Sequence, residues 1–216
     1  METINPYWDI VQTIPSNPID MEYGNAWSPN WIRHGVSRDE LCRTYSWAIP
    51  SPFALSFVAK WVKLPVVEMG AGTGYWAWQL SQMGIDIIAY DQAPPDKTGT
   101  NHWHSPRNGS HGDLTGETRP TYFPVQEGTP ESLKAHSERV LFLCWPPYDD
   151  TMAFECLENY QGNRLVYIGE GSGGCTADDA FHERLDREWE EVANHRPIQW
   201  FGIHDYITVY LRKSDT

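Results

Sequence analysis

The residues best suited to chemistry are Glu68-Met69-Gly70-Ala71-Gly72-Thr73-Gly74, which follow the apolar pair Val66-Val67. Glycine lets a backbone turn sharply and approach a ligand with no side chain in the way. The spacing is GxGxG, and Tyr75 stands where a dinucleotide-binding loop has its third glycine. No Lys followed by Ser or Thr comes after the glycines, so this is not the phosphate-cradling P-loop pattern. Glu68 adds a constraint of its own. Its carboxylate would repel a phosphate and attract an ammonium or a sulfonium. Asp91 ends the next apolar run, 21 residues beyond Gly70, where a carboxylate can accept hydrogen bonds from both hydroxyls of a ribose. Acid, glycines and second acid together describe a site for a cationic, ribose-bearing ligand.

A second group is Leu143-Cys144-Trp145-Pro146-Pro147-Tyr148, at the end of another apolar run. Two prolines make a stiff corner that presents the Trp145 and Tyr148 rings. An indole offers only a donor, and a ring face beside a cation gains about 0.5–2 kcal/mol. The same residues also read as a rigid strand-to-helix turn. Glu170-Gly171-Ser172-Gly173-Gly174-Cys175 follows a further strand signal. There Glu170 is expected to orient a substrate or act as a base, with a flexible connection as the equal alternative. His182, just off the apolar face of the following helix, is the other expected base. Asn101-His102-Trp103-His104 suggests a substrate lid, because no third ligand is spaced to complete a metal site. Trp47, before a Pro-bounded break, is expected to close over a pocket.

These residues resemble the class I S-adenosylmethionine-dependent methyltransferases, over roughly residues 60–216. The resemblance implies that Glu68, Gly70, Ala71, Gly72 and Gly74 line the amino-acid end of the cofactor and that Asp91 holds the ribose. It places Gly128 and Thr129 near the adenine, with Thr129 where the family often has Asp, and Cys144 and Trp145 beside the cofactor. Residues 145–148 look like the Asn/Asp-Pro-Pro-Tyr motif of amino-methyltransferases, with Trp145 in place of the amine-binding residue. The implied substrate-binding residues are Trp47, Asn101, Trp103, Trp145 and Tyr148, and the implied catalytic residues are Glu170, Tyr148 and His182.

The elements that must position these groups alternate. Residues 1–36 read as an irregular arm rich in Pro and Asn. Ser37 and Glu40 have capping-box spacing at the start of a helix, and Ser51 with Pro52 opens a second. Short apolar runs at 66–67, 85–90, 141–144 and 165–168 read as strands covered on both faces. Helices are expected over 76–83, closed by Gly84, and over 150–160. Another should follow Thr176, capped with Asp179, and carry Phe181, Leu185, Trp189 and Val192 on one face. Strands at 198–201 and 206–211 should form a closing hairpin, and 92–121 should be a long loop, either lid or passive insertion. The expected architecture is a three-layer, doubly wound, mostly parallel α/β sheet with an antiparallel C-terminal hairpin strand. An N-terminal cap over 1–64 would precede a methyltransferase domain over 65–216.

Composition narrows the partners. Lys and Arg number 16 against 29 Asp and Glu, a formal net charge of −13. A phosphate backbone selects the opposite balance, so nucleic acid is not the expected partner. No apolar run reaches the length of a membrane span, and no basic-then-apolar leader opens the chain. The four cysteines are scattered without a CxxC pair, as in a reducing, cytoplasmic setting. The expected activity is methyl transfer from S-adenosylmethionine to a small-molecule acceptor in an aromatic-lined pocket. Methylation of an amino group on nucleic acid or protein, and cofactor binding without turnover, remain as alternatives.

Overall fold

The computed structural model describes residues 4–13, 37–108, 112–200 and 202–214. A seven-stranded sheet runs through the centre, formed by β1 (Val66–Met69), β2 (Ile87–Asp91), β3 (Val125–Glu127), β4 (Val140–Cys144), β5 (Arg164–Gly169), β6 (Trp189–His195) and β7 (Tyr206–Arg212). Their spatial order is β3-β2-β1-β4-β5-β7-β6. The pairings of β1 with β2 and β4, β2 with β3, and β4 with β5 are parallel, whereas β7 is antiparallel to both β5 and β6. This is the expected doubly wound sheet with an antiparallel C-terminal strand.

Alternation along the strands feeds two cores. Val66, Val140, Phe142, Val166 and Ile168 face the helices α3 (Pro52–Val62) and α4 (Tyr75–Gln82). Val67, Leu141, Leu143, Leu165 and Tyr167 face α5 (Met152–Asn159) and α6 (Asp179–Glu188). Successive side chains of a strand point to opposite faces, so central strands covered on both sides have no polar face to show. Strand order reverses between β1 and β4. In open α/β sheets ligands bind beyond the carboxyl ends of the strands at such a switch point.

The capping signals hold at atomic level. The Ser37 hydroxyl accepts from the Glu40 N–H at 3.2 Å and starts α2 (Arg38–Thr44). Ser51 accepts from Ala54 N–H at 3.2 Å, with Pro52 in the first turn of α3. Three expectations are corrected. The arm contains a helix, α1 (Pro6–Val11), whose Asn5 cap accepts from Trp8 N–H at 3.1 Å; residues 14–36 lie outside the described ones. Asp178, not Thr176, caps α6, accepting from Phe181 N–H at 2.9 Å.

The third correction is the hairpin. The expected helix stops at Glu188, and Trp189 to His195 instead form β6 against β7, with an irregularity between Glu191 and Ala193. Residues 198–200 form no strand, and Phe201 is outside the described residues. Tertiary pairing overrides helical spacing here: Trp189 sits opposite Arg212, whose guanidinium lies 4.4 Å from its ring centroid, and stacks on Tyr160.

A third cluster joins the N-terminal segment to the body through Tyr7, Val11, Cys42, Ile49, Tyr75 and Trp200. Tyr75 hydroxyl accepts from Tyr7 N–H at 3.0 Å and donates to Asn5 at 2.9 Å. Trp200 Nε1 donates to the Tyr7 hydroxyl at 3.0 Å. The described residues of 92–121 carry neither helix nor ladder beyond one bridge, Arg107 to Leu114.

Candidate active site

A cavity of about 710 Å³ opens beyond the carboxyl ends of β1 and β4, at the switch point. That volume suits a cofactor-sized ligand with room beside it. Its floor is the start of the glycine loop, Gly70 and Ala71, whereas Gly72 lies outside the lining. Gly70 and Gly72 have φ of +76° and +54°, a region L side chains rarely adopt. A Cβ at Gly70 would overlap the end of Met152, and one at Gly72 would overlap the His104 imidazole. At Gly72 space as well as backbone conformation demands glycine; at Gly70 the Met152 methyl can swing aside, and the positive φ makes the demand. Gly74, at φ +69°, caps α4 and packs by Phe123 and Val125 rather than facing the cavity.

Glu68 is 2% exposed and lines the cavity, and its Oε2 has no hydrogen-bond partner. Burial, with the nearby Asp91 carboxylate adding to it, pushes Glu68 up to about 8, while the Ala77 N–H opposes this. A buried carboxyl oxygen without a donor is costly. A cationic ligand group in the cavity would supply what it lacks.

Asp91 lines the same cavity and is already engaged. One oxygen accepts from Gly72 N–H at 2.8 Å, and the other from Ala93 N–H at 2.8 Å and Asn101 Nδ2 at 3.2 Å. A carboxylate has about four acceptor positions, so capacity for a ligand hydroxyl remains. Asn101 in turn accepts from Trp103 N–H at 3.0 Å and His104 N–H at 2.9 Å. This polar turn gives the 92–121 loop its shape over the glycines. Burial holds the His104 imidazole below its usual value, and its Nδ1 lies 3.0 Å from Arg43 O.

The opposite wall is aromatic. Trp145, at φ +54°, leaves β4 in the left-handed region and stacks on Trp47, with centroids 5.6 Å apart. Trp103 meets Trp47 edge-on at 5.8 Å. Arg38 Cζ lies 5.4 Å from the Trp47 ring centroid and 5.6 Å from that of Trp145. The Trp145 indole Nε1 donates to Asp205, 2.9 Å from each carboxyl oxygen. Burial pushes Asp205 up to about 7, with Glu170 adding and the Trp145 N–H and Arg38 opposing. Tyr148, 65% exposed, stands at the mouth.

The structure thus brings Glu68, Gly70, Ala71, Asp91, Gly128, Cys144, Trp145, Trp47, Asn101, Trp103 and Tyr148 to one cavity. Thr129 lines an adjoining shallow depression with Gly128. Glu170 and His182 lie outside the cavity lining. Glu170 accepts from Cys175 N–H at 2.7 Å and His204 N–H at 2.6 Å, tying the loop after β5 to the segment before β7. Against the burial that raises it, these bonds and the Cys175 thiol hold Glu170 below the ordinary carboxylate value. His182 is buried, with Nε2 3.2 Å from Thr176 O. This geometry gives both residues work in holding loops together rather than facing an acceptor.

Sequence reasoning missed Arg38 and Met152 in the lining, and Asp205 behind it. The indole of Trp145 was the available signal for Asp205, since a buried donor needs an acceptor. Among the described residues, no three His, Cys, Asp or Glu side chains converge as a metal site requires. No described helix is long and apolar enough to cross a membrane.

No protein-family model matches the sequence, and no curated protein matches it. Solved structures do. Magnesium protoporphyrin IX methyltransferase from Synechocystis PCC 6803, with bound SAM, is 11% identical with a TM-score of 0.48, covering 99% of this chain and 100% of that one. A structure concerned with conversion of a disulfide bond into a thioacetal group during echinomycin biosynthesis is 12% identical, with a TM-score of 0.49 and coverage of 86% and 91%. A TehB-like SAM-dependent methyltransferase from Corynebacterium glutamicum is 16% identical, with a TM-score of 0.43 and coverage of 92% and 100%.

Proposed function

We propose that this chain binds S-adenosylmethionine in the switch-point cavity and transfers its methyl group to a small-molecule acceptor. The observation that carries this reading is the pairing of two buried acids across one glycine floor. Glu68 has an oxygen without a donor, and Asp91 keeps acceptor capacity. A phosphate-bearing cofactor would place negative charge against Glu68. A ligand with an ammonium, a sulfonium and a ribose diol satisfies both acids.

The bound cofactor supplies an electrophilic methyl group on a positively charged sulfur. Glu68 balances the ammonium and Asp91 holds the ribose. Gly70 leaves the cavity floor bare, Gly72 steadies Asp91 through its N–H, and Gly128, with Thr129 at the margin, lies on the side where adenine is proposed to sit. Trp47, Trp103, Trp145 and Tyr148 form the acceptor side, where ring faces stabilise nearby positive charge and exclude water. Methyl transfer is an in-line displacement at carbon, so the protein's task is to hold acceptor and methyl about 3–3.5 Å apart and aligned. Residues 1–64 act as the cap and 65–216 as the catalytic domain, with Trp47 and Arg38 supplied by the cap.

Incubation of the protein with methyl-labelled S-adenosylmethionine and a cell extract tests this. Label is expected in a low-molecular-weight product. Label confined to nucleic acid or protein would replace the small acceptor by a macromolecular one, and binding without any transferred label would leave only a cofactor-binding protein.

A further inference from the structure

We propose that the acceptor is an aromatic molecule bearing a carboxylate, gripped by the Arg38 guanidinium while its ring rests on the aromatic wall. The inference rests on the methyltransferase reading above and names its substrate class.

The chain is strongly acidic, yet Arg38 lines the cavity. Among the described residues it has neither a hydrogen bond nor an ion pair, and its Nε is buried without a partner. What holds it is the stacked pair Trp47 and Trp145, each ring centroid within 5.6 Å of its Cζ. Ring faces satisfy the charge in part but leave the N–H edge of the planar fork unused. Asp205, whose charge Arg38 influences, takes the single Trp145 indole N–H between its two oxygens and makes neither a hydrogen bond nor an ion pair with Arg38. Asp205 and Trp145 therefore act together: the acid fixes the indole, and the indole supports Arg38 without consuming its donors.

A guanidinium in this state matches a carboxylate, which accepts two parallel N–H bonds. In the same lining, Trp103, Trp145 and Tyr148 supply the apolar aromatic surface that a flat ring would bury. A neutral aromatic acceptor would leave the guanidinium charge beside the cavity without an anion. An aliphatic acid would leave the ring faces against water. A ring with a carboxylate answers both. The charge also sets orientation, because a forked pair fixes the plane and direction of the bound acid. That is the positional control an in-line displacement requires.

The experiment titrates benzoate, 4-hydroxybenzoate, 2-aminobenzoate and indole-3-acetate, each beside its neutral amide, into the full chain with and without S-adenosylhomocysteine. Wild type, Arg38→Gln and Arg38→Lys are compared, and each variant's melting temperature establishes that it is folded. At least one acid is expected to bind tenfold or more tightly than its amide. Arg38→Gln should abolish that preference, and Arg38→Lys should restore it only in part, since an ammonium lacks the fork. If no acid outbinds its amide, or if the preference survives Arg38→Gln in a folded variant, the inference is overturned. Should Arg38→Gln not fold, the acid-to-amide ratio in wild type together with Arg38→Lys decides. Failure of S-adenosylhomocysteine to bind would instead overturn the cofactor reading, a result separate from the acid-to-amide comparison made without it.

Discussion

The Trp145 indole and the Asp205 carboxyl group lock together across 60 residues of sequence, with Nε1 2.9 Å from both oxygens. Trp145 sits at φ +54°, outside the ordinary range for a bulky residue. The bond to Asp205 and the stack on Trp47 hold it there. Trp145→Phe keeps a ring but strips Asp205 of its donor. A buried acceptor left unsatisfied costs about 1–3 kcal/mol, so chemical denaturation should show a loss of that order. No change in folding free energy would mean the bond contributes nothing.

Asp205 should also impose a pH dependence. Burial raises it from 3.8 to about 7. Between those values the folded chain binds more protons than the unfolded one, so stability is greatest at low pH and declines as pH rises toward 7. Asp205→Asn keeps an acceptor for the indole and removes the titration. Melting temperatures at pH 5 and pH 8 should therefore converge in the variant relative to wild type. An identical pH slope in both proteins would remove Asp205 from this role.

Glu68 predicts proton release on cofactor binding. With its value near 8, it is mostly protonated at pH 7 in the free chain. A ligand ammonium facing it favours the ionised form, so binding should expel up to about one proton. Calorimetry at pH 7 in buffers of different ionisation enthalpy reads that proton directly. The Glu68→Gln variant should bind more weakly and lose the buffer dependence. Wild-type enthalpies that do not vary with buffer would contradict the assignment.

Asp91 has two duties, toward the ligand and toward the backbone. Asp91→Ala should weaken cofactor binding by tenfold to a hundredfold, from loss of a charge-assisted bond worth roughly 1.5–3 kcal/mol. It should also lower the melting temperature, because Gly72 and Ala93 N–H lose their acceptor. The sequence alone suggests a strand-end residue whose loss the fold would ignore; the geometry predicts otherwise. Equal melting temperatures with reduced affinity would show that water replaces those bonds.

Trp145→Asn tests the departure from the amino-methyltransferase motif. Asn tolerates the left-handed backbone that Trp145 occupies and supplies an acceptor where the indole had only a donor. Label transfer from S-adenosylmethionine to an amine should appear or increase if the indole excludes that chemistry. Unchanged products with a folded protein would assign Trp145 to wall-building alone.

What could be read from the sequence was whatever depends on neighbours along the chain. Ser37 with Glu40, Ser51 with Pro52, and the glycine loop before α4 are local signals with local physics, and each appears in place. Strands covered on both faces were visible as apolar runs. Partners far apart in sequence were not. Trp189 and Val192 fit a helical face equally well until β7 offers pairing. Arg38, from the cap, meets Trp145 from β4 only through the fold. Glu170 looked free to do chemistry because nothing in the sequence announces that His204 N–H, 34 residues away, would occupy it.

In this reading the two buried acids and the glycine floor accept a cationic nucleoside cofactor. Isothermal titration of the purified chain with S-adenosylhomocysteine, S-adenosylmethionine and NAD tests it most directly. Saturable heat is expected with the first two and none with NAD, whose phosphates would face Glu68. Heat with NAD and none with either sulfur-bearing ligand would contradict the account.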